Sequence, residues 1–448
     1  MNSHKMQFIQ RILIFLMFFP MLSGGFRVYG LHAEEPEKKR WSLSDLYQRA
    51  LDLSETIKIA DNDLRIAEKD KDRAFSVLVP RITAFGGYTR YDEEKTLFPK
   101  SDWNWGVRFD QSFTLNGKEL IALDMANDQI EKADLDLTAI RETYLFQVAS
   151  AYFSFLNAVK RETIAEADVK RLEAHRKAVL IQLELENTQI TELYSTEATL
   201  SGARTELVIA GNNIHISRAT LKRMVDLPQG FELELPDNSE TEPVDQDIRE
   251  IKQFALEQRE DLQSMKIAHK LTESNIRLSK GSYWPTLSLE GGYTAIESSP
   301  DTFTPDDDYL FVGAKINFPI YDGGLRNAEV GQARIRSRQA ELRVKDYSKQ
   351  IAVEVESAYR NVKTAESAIQ SLQDKHKWAD ENFNAVTFQY QNGIKNSLDV
   401  IDANTLLANA ERELAEARYN YSVSLLDLQR AKGILLKNIV EQYNLKIN

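Results

Sequence analysis

Between Ala340 and Leu372 the apolar residues fall at Ala340, Val344, Tyr347, Ile351, Val355, Ala358, Val362, Ala365, Ile369 and Leu372, always three or four apart. An earlier run, Ala126, Ile130, Ala133, Leu137, Ile140, Tyr144, Val148, Ala151 and Phe155, keeps the same rhythm. Such spacing puts the side chains on one narrow stripe of an α-helix, the seam along which coiled helices meet. The stripe is rich in alanine, so the helices it joins pack closely and keep their other faces polar. Proline marks where they stop. Pro99 is the only proline between Arg81 and Leu227, and none follows Pro319. Long helices are therefore expected over about 118–186 and 325–391, with return helices over about 192–225 and 397–436. At 1.5 Å per residue, each long helix would reach roughly 100 Å.

A period of two appears elsewhere. Leu287, Leu289, Gly291 and Tyr293 alternate with Ser288 and Glu290, and Ala314, Ile316, Phe318 and Ile320 with Lys315 and Asn317. Val107, Phe109 and Phe113 alternate in the same way with Arg108, Asp110 and Ser112. Four strands are expected, at about 80–91, 103–115, 285–296 and 309–321. This alternation fits a half-buried soluble sheet as well as a strand facing lipid. The helical stripes are too narrow to cover a sheet, and no apolar stretch after residue 33 is long enough for a membrane helix, which favours lipid. Leu287, Leu289, Tyr293, Ile316, Phe318, Ile320, Val107, Phe109 and Phe113 are then the lipid face. Tyr88, Tyr293, Trp103 and Trp105 lie toward strand ends, where interfacial aromatic residues belong. Four strands cannot cross a bilayer alone, because open edges leave backbone groups unpaired in lipid. Two chains would give eight strands and an interior filled by side chains, whereas three give twelve, the smallest closure with a usable lumen.

The two sets of elements are copies. "PRITAFGGYT" at Pro80–Thr89 recurs as "PTLSLEGGYT" at Pro285–Thr294, a shift of 205. "WGVRFDQSFTLNG" at Trp105–Gly117 matches "VGAKINFPIYDGG" at Val312–Gly324, and "VASAY" at Val148 matches "VESAY" at Val355, both at 207. One repeat spans about 41–228 and the other about 247–436, each ordered helix, strand, strand, long helix, turn, helix. The acidic, proline-bearing stretch 229–246 reads as the linker between them, and 437–448 as a C-terminal tail. At the counterpart of Ser112, Pro319 is expected to sit at a bulge.

Residues 1–33 carry Lys5, Arg11 and Arg27, a short apolar run from Ile12 to Leu22 and small residues at Gly30 and Ala33. This is the pattern of a cleaved secretory signal peptide, and removing it takes the formal charge from -12 to -15. Such an acidic chain lacks the basic footprint of a nucleic-acid binder. The absence of cysteine excludes disulfides, thiolate metal sites, cysteine nucleophiles and a lipidated N-terminal cysteine. Six scattered histidines show no metal-binding spacing, so no cofactor is expected.

With "WPTLSLEGGY" (284–293), "INFPIYDGGLR" (316–326), "YQNGIKNSLDVIDA" (390–403), "NAERELAEARYNYSVSLLDLQRAKG" (409–433) and "LKRMVDLP" (221–228), the chain resembles the TolC-like outer-membrane efflux proteins from about Trp41 to Ile434. The resemblance implies a mainly α homotrimer, with a twelve-stranded β-barrel in outer-membrane lipid continued by a long periplasmic α-helical tunnel. Helices over 42–79 and 247–283 would complete the tunnel wall. It implies a passive exit duct without catalytic chemistry, served by a periplasmic adaptor protein and an inner-membrane pump or ABC transporter. The alternative is a structural coiled-coil protein of the cell envelope, anchored through its strands.

The resemblance also assigns the turn "NGIKNSLDVIDAN", Asn392–Asn404, to the mouth of the tunnel. Asp399 and Asp402 would form its acidic ring, Tyr390 and Lys395 would tether neighbouring helix pairs, and Gly393 would make the turn. Residues three apart share a helix face, so three chains would aim these carboxylates at one axis. The local reading is plainer: Asn396 or Ser397 caps the helix and Asp399 complements its positive end. In the other copy the turn "ENTQITELYSTEA" has no glycine, and Tyr194 stands in place of the first aspartate. Gln189, Ile190, Thr191 and Glu192 at this second tip are candidates for adaptor docking.

Overall fold

The structure, a computed structural model, describes residues 40–92, 100–234, 246–299 and 307–446. The expected signal peptide and linker residues 235–245 lie outside the described residues. From Trp41 onward the chain forms one compact unit. The first copy comprises α1 (Leu43–Leu53), α2 (Glu55–Ser76), β1 (Arg81–Arg90), β2 (Ser101–Thr114), α3 (Lys118–Glu184) and α4 (Ile190–Val225). The second comprises α5 (Ile248–Gln258), α6 (Glu260–Gly281), β3 (Thr286–Ser299), β4 (Asp307–Asn317), α7 (Leu325–Gln391) and α8 (Ser397–Ala431), followed by α9 (Leu435–Tyr443).

The helix ends explain why the copies share a backbone. Each long helix has 67 residues and starts after a left-handed glycine, Gly117 at φ 73° and Gly324 at φ 91°. The long helices end in left-handed residues Glu186 (φ 61°) and Gly393 (φ 74°), and the return helices in Asp226 (φ 48°) and Gly433 (φ 74°). In all three pairs the partners are 207 positions apart. The same backbone bonds close both tips: Asn187 N donates to Gln182 O, and Ile394 N to Gln389 O, each at 2.9 Å. This is the Schellman ending, in which a left-handed residue lets the chain reverse and satisfies the last carbonyls.

Several boundaries differ from expectation. The helices expected over 42–79 and 247–283 are each broken, at Ser54 and Arg259, whose ψ values of 125° and 117° leave the helical range. Ser54 Oγ accepts from Ile57 N, whereas the Arg259 side chain is held by Asp261 and Glu354. The return helix expected to reach 436 stops at Ala431, because Gly433 turns the chain, and α9 starts at Leu435 and runs on into the expected tail. No bulge forms at Pro319. The β4 ladder ends at Asn317, opposite Thr286, where Phe318 would next face Pro285 and Pro319 follows. Neither proline has an N–H to offer. Phe318 and Ile320 therefore lie beyond the strand, both exposed.

β1–β4 form one antiparallel sheet in chain order. The register aligns Phe113, Leu287 and Ile316 in one row, then Phe109, Gly291 and Val312, then Val107, Tyr293 and Leu310. This face is open to solvent in the single chain, with Val312 88% and Leu310 78% exposed. Tyr88 pairs with Trp103 at 4.9 Å between ring centroids, and Trp105 with Tyr293 at 5.8 Å. The opposite face carries the Arg108–Asp110 ion pair and the Ser112–Ser288 hydrogen bond. Among the described residues the outer edges of β1 and β4 pair with no strand. No described helix is long and apolar enough to cross a membrane.

The largest core lies midway along the helices, where α1, α3, α4 and α9 bury Leu46, Tyr47, Leu145, Val148, Leu221 and Leu435. Its counterpart gathers Ile251, Leu262, Ile351, Val355, Val362 and Leu428 from α5, α6, α7 and α8. Four seam positions named above, Ile351, Val355, Ala358 and Val362, are fully buried there. Glu142 of α3 accepts the backbone N–H groups of Leu435 and Leu436 at 2.7 and 3.3 Å, which caps α9. Burial is the main reason its carboxyl is pushed up to about 7.

Replacing Gly393 by alanine forces a β-carbon into the left-handed region and should loosen the tip by about 1 kcal/mol. Glu186→Gly, which removes the β-carbon at the matching left-handed position (φ 61°), should tighten the other tip by a comparable amount, about 1 kcal/mol. Amide hydrogen exchange across both turns measures the difference.

Candidate functional site

The tips of the α3–α4 and α7–α8 hairpins lie at the far end of the helices from the sheet. Asn396 caps α8 through a reciprocal pair of bonds: its Oδ1 accepts from Asp399 N at 2.9 Å, and its own N donates to Asp399 Oδ2 at 3.1 Å. Lys395 Nζ donates to the other Asp399 oxygen at 3.3 Å. The Asn396 N–H, and after it Lys395, holds the Asp399 carboxyl below its ordinary range. Asp399 is thus committed to its own helix end, as the local reading expects. Asp402, one turn on, is exposed beside Leu398 and Leu406, and no described side chain bonds to it.

Tyr390 is 7% exposed and sits between the hairpins, packed with Val179 of α3 and Val400 of α8. Its ring centroid lies 5.0 Å from that of His175, edge to face. The hydroxyl is buried without a partner among the described residues, and burial, then the nearby Glu192, raises its pKa. Lys395 bonds within its own turn and reaches no other helix among the described residues. Gly393 is the left-handed turn residue. In the other tip, Gln189 stands at the N-cap without bonding the helix through its side chain, unlike Asn396. The helix α4 starts two residues before the expected 192, so Ile190 and Thr191 join Glu192 in its first turn; Ile190 and Thr191 are exposed and Glu192 is half-buried.

Sequence reasoning missed the polar ladder that joins the hairpins above the tip. His175 Nε2 lies 2.7 Å from Ser397 Oγ. Asn404 Nδ2 donates to Asp168 Oδ1 at 2.6 Å, while Arg171 Nε donates to Asn404 Oδ1 at 2.8 Å. The Arg171 guanidinium also grips both Glu411 oxygens, at 3.3 and 3.0 Å. The signal was present: Ser397, Asn404 and Glu411 recur every seven residues on α8, the spacing that returns to one seam. Among the described residues, no group of three or more His, Cys, Asp or Glu is placed to hold a metal.

Residues 46–225 and 252–433 match the family described as "Outer membrane efflux protein". The chain belongs to that family. The two matched stretches coincide with the two copies. Outer membrane protein TolC of Vibrio cholerae is similar at 23% identity over 416 residues, covering 90% of this chain and 93% of the relative. TolC of Escherichia coli is 23% identical over 416 residues, covering 88% of this chain and 82% of the relative. The Campylobacter jejuni CmeC outer membrane channel has the same fold, with a TM-score of 0.79 at 18% identity, over 96% of this chain and 98% of its own.

As an outer membrane efflux protein, the chain is an outer-membrane exit duct of the tripartite efflux and secretion class, and its helices extend into the periplasm. The family is one of conduits, not of enzymes. Lipid is then the natural solvent for the apolar face of β1–β4, and the hairpin tips mark the periplasmic end.

The caps separate the roles of the tip residues. Asn396→Ala should cost about 1 kcal/mol of local stability by removing the N-cap. Asp402→Asn should leave stability unchanged, since no described side chain bonds to the Asp402 carboxylate. Hydrogen exchange at residues 397–400 compares the two.

Proposed function

We propose that three copies of the chain form the duct, each contributing four strands to a closed barrel and two hairpins to the tunnel, and that it opens and closes at the hairpin tips. The observation that carries the reading is the sheet itself: four strands, an exposed apolar face and two unpaired edges. In lipid each unsatisfied backbone group costs several kcal/mol, so the edges need neighbours, and copies of the same chain are the source at hand.

Asp399 and Asp402 ring the closed mouth, where carboxylates from each chain repel anions and draw cations to the axis. Tyr390 tethers the hairpins from inside, and its buried contact with His175 supports that role. Lys395 acts through Asp399, the partner it holds. The tip at Gln189–Glu192, with Leu185, Ile190 and Tyr194 exposed beside it, suits docking of a periplasmic adaptor. An inner-membrane pump or ABC transporter then supplies the energy, and the duct performs no catalysis and holds no cofactor.

Purified protein in planar bilayers should give a conductance of trimer size that divalent cations block. Replacing Asp399 and Asp402 together by alanine should weaken the block and raise conductance; block at full strength in the variant removes the acidic ring as gate. A coiled-coil scaffold anchored by its strands would give no such conductance. Val312→Arg, on the apolar face at the strand centre, should impair membrane assembly by roughly 2–4 kcal/mol. Lys315→Asp, on the polar face, should assemble normally, which extraction and native gel mobility would record.

A further inference from the structure

Inside the tip, each of the four helices sends one residue to a single buried point. His175 of α3 is 8% exposed, and its Nε2 lies 2.7 Å from Ser397 Oγ at the start of α8. Ser397 is 1% exposed, and its hydroxyl lies 3.2 Å from Thr196 Oγ1 of α4. Thr196 donates to the Glu192 carbonyl at 2.8 Å. Tyr390 of α7 closes the group with its ring against the imidazole.

We propose that this junction is a proton-operated latch, which joins the two hairpins while His175 is neutral and releases them when the imidazole takes up a proton. The proposal rests on the reading of the tip as the gate.

The hydrogen-bond inventory supports it. The Thr196 proton is committed to Glu192, so Ser397 can give its own proton either to Thr196 or to the imidazole. A neutral ring accepts that proton or donates to Ser397, and both arrangements satisfy the chain. An imidazolium has two donors and a charge, set among Val179, Val400 and the Tyr390 ring. The surrounding charges do not compensate. Arg171 is engaged with Glu411, Arg176 with Glu197, and Lys395 with Asp399. Glu192 and, after it, the Ser397 hydrogen bond favour the charged ring, and burial outweighs both, so the imidazole's pKa lies below its ordinary value. Its contribution to packing is therefore complete above the ordinary imidazole pKa and is lost as pH falls through the lower, folded value. The counterpart of His175 in the other copy is Asn382, which is exposed and does not titrate. The device belongs to one hairpin only.

The chain has no cysteine, so Asn187→Cys and Asn392→Cys would place the only thiols, one on each tip turn. Spin labels there, in the assembled full-length protein, report the distance between hairpins at about pH 7.5 and about pH 5, the range in which histidine switches. Acidification should lengthen the distance reversibly. His175→Gln, which keeps a partner for Ser397 and takes no proton, should hold the neutral distance at both pH values. Ser397→Ala, which removes a bond favouring the charged ring, should move the transition to lower pH, and Glu142→Gln should leave it in place. A distance that ignores pH, or an acid shift that survives His175→Gln, overturns the latch. A His175-dependent shift without an acid rise in planar-bilayer conductance upholds the latch and instead overturns the tip as the gate.

Discussion

The unpaired outer edges of β1 and β4 dictate the rest of the molecule. A backbone N–H or C=O exposed to hydrocarbon finds no water, and neither edge has an internal partner among the described residues. On the proposed reading, one chain is a slice of a cylinder. The same condition passes to the helices that continue the strands, since a slice of barrel leads into a slice of tunnel. It accounts for the exposed apolar side chains on the flanks, Ile59 and Ile66 on α2 and Ile335, Leu342 and Val353 on α7. On a protein complete as one chain, such a distribution would invite aggregation.

Duplication supplies most of the fold, and the side chains at the tips tell the two copies apart. The backbone is conserved to the point that left-handed residues recur at one shift, even where glutamate or aspartate replaces glycine. The side chains are not. One tip has a reciprocal cap, two aspartates and a buried tyrosine, whereas the other has an uncapped start, a buried histidine and an exposed apolar end. Each hairpin holds half of the polar ladder, so neither copy alone contains a complete junction.

The periodicity of three and four made the long helices legible, because a rod packed along one seam has few ways to satisfy its apolar residues. The alternation in the strands was legible too, and the register put Val107, Phe109, Phe113, Leu287, Leu289, Tyr293 and Ile316 on one face. What stayed hidden was local or long-range. The breaks at Ser54 and Arg259 involve no proline or glycine and arise from side-chain capping and ion pairing. The ladder required knowing which seam of α8 meets α3, and a heptad of polar residues does not name its partner. At the α7–α8 tip, D-x-x-D spacing joins two residues that the structure treats differently, one locked into a cap and one open to solvent.

Both long helices have 67 residues, and both are bounded by left-handed residues in the same register. At 1.5 Å per residue, a single insertion in one of them would offset the two tips by about that distance and rotate everything beyond it by roughly 100°. The ladder contacts between α3 and α8 would then face the wrong way. Length in this protein behaves as a vernier: the two rods can grow or shrink only together, and only by steps that bring the seam back into phase.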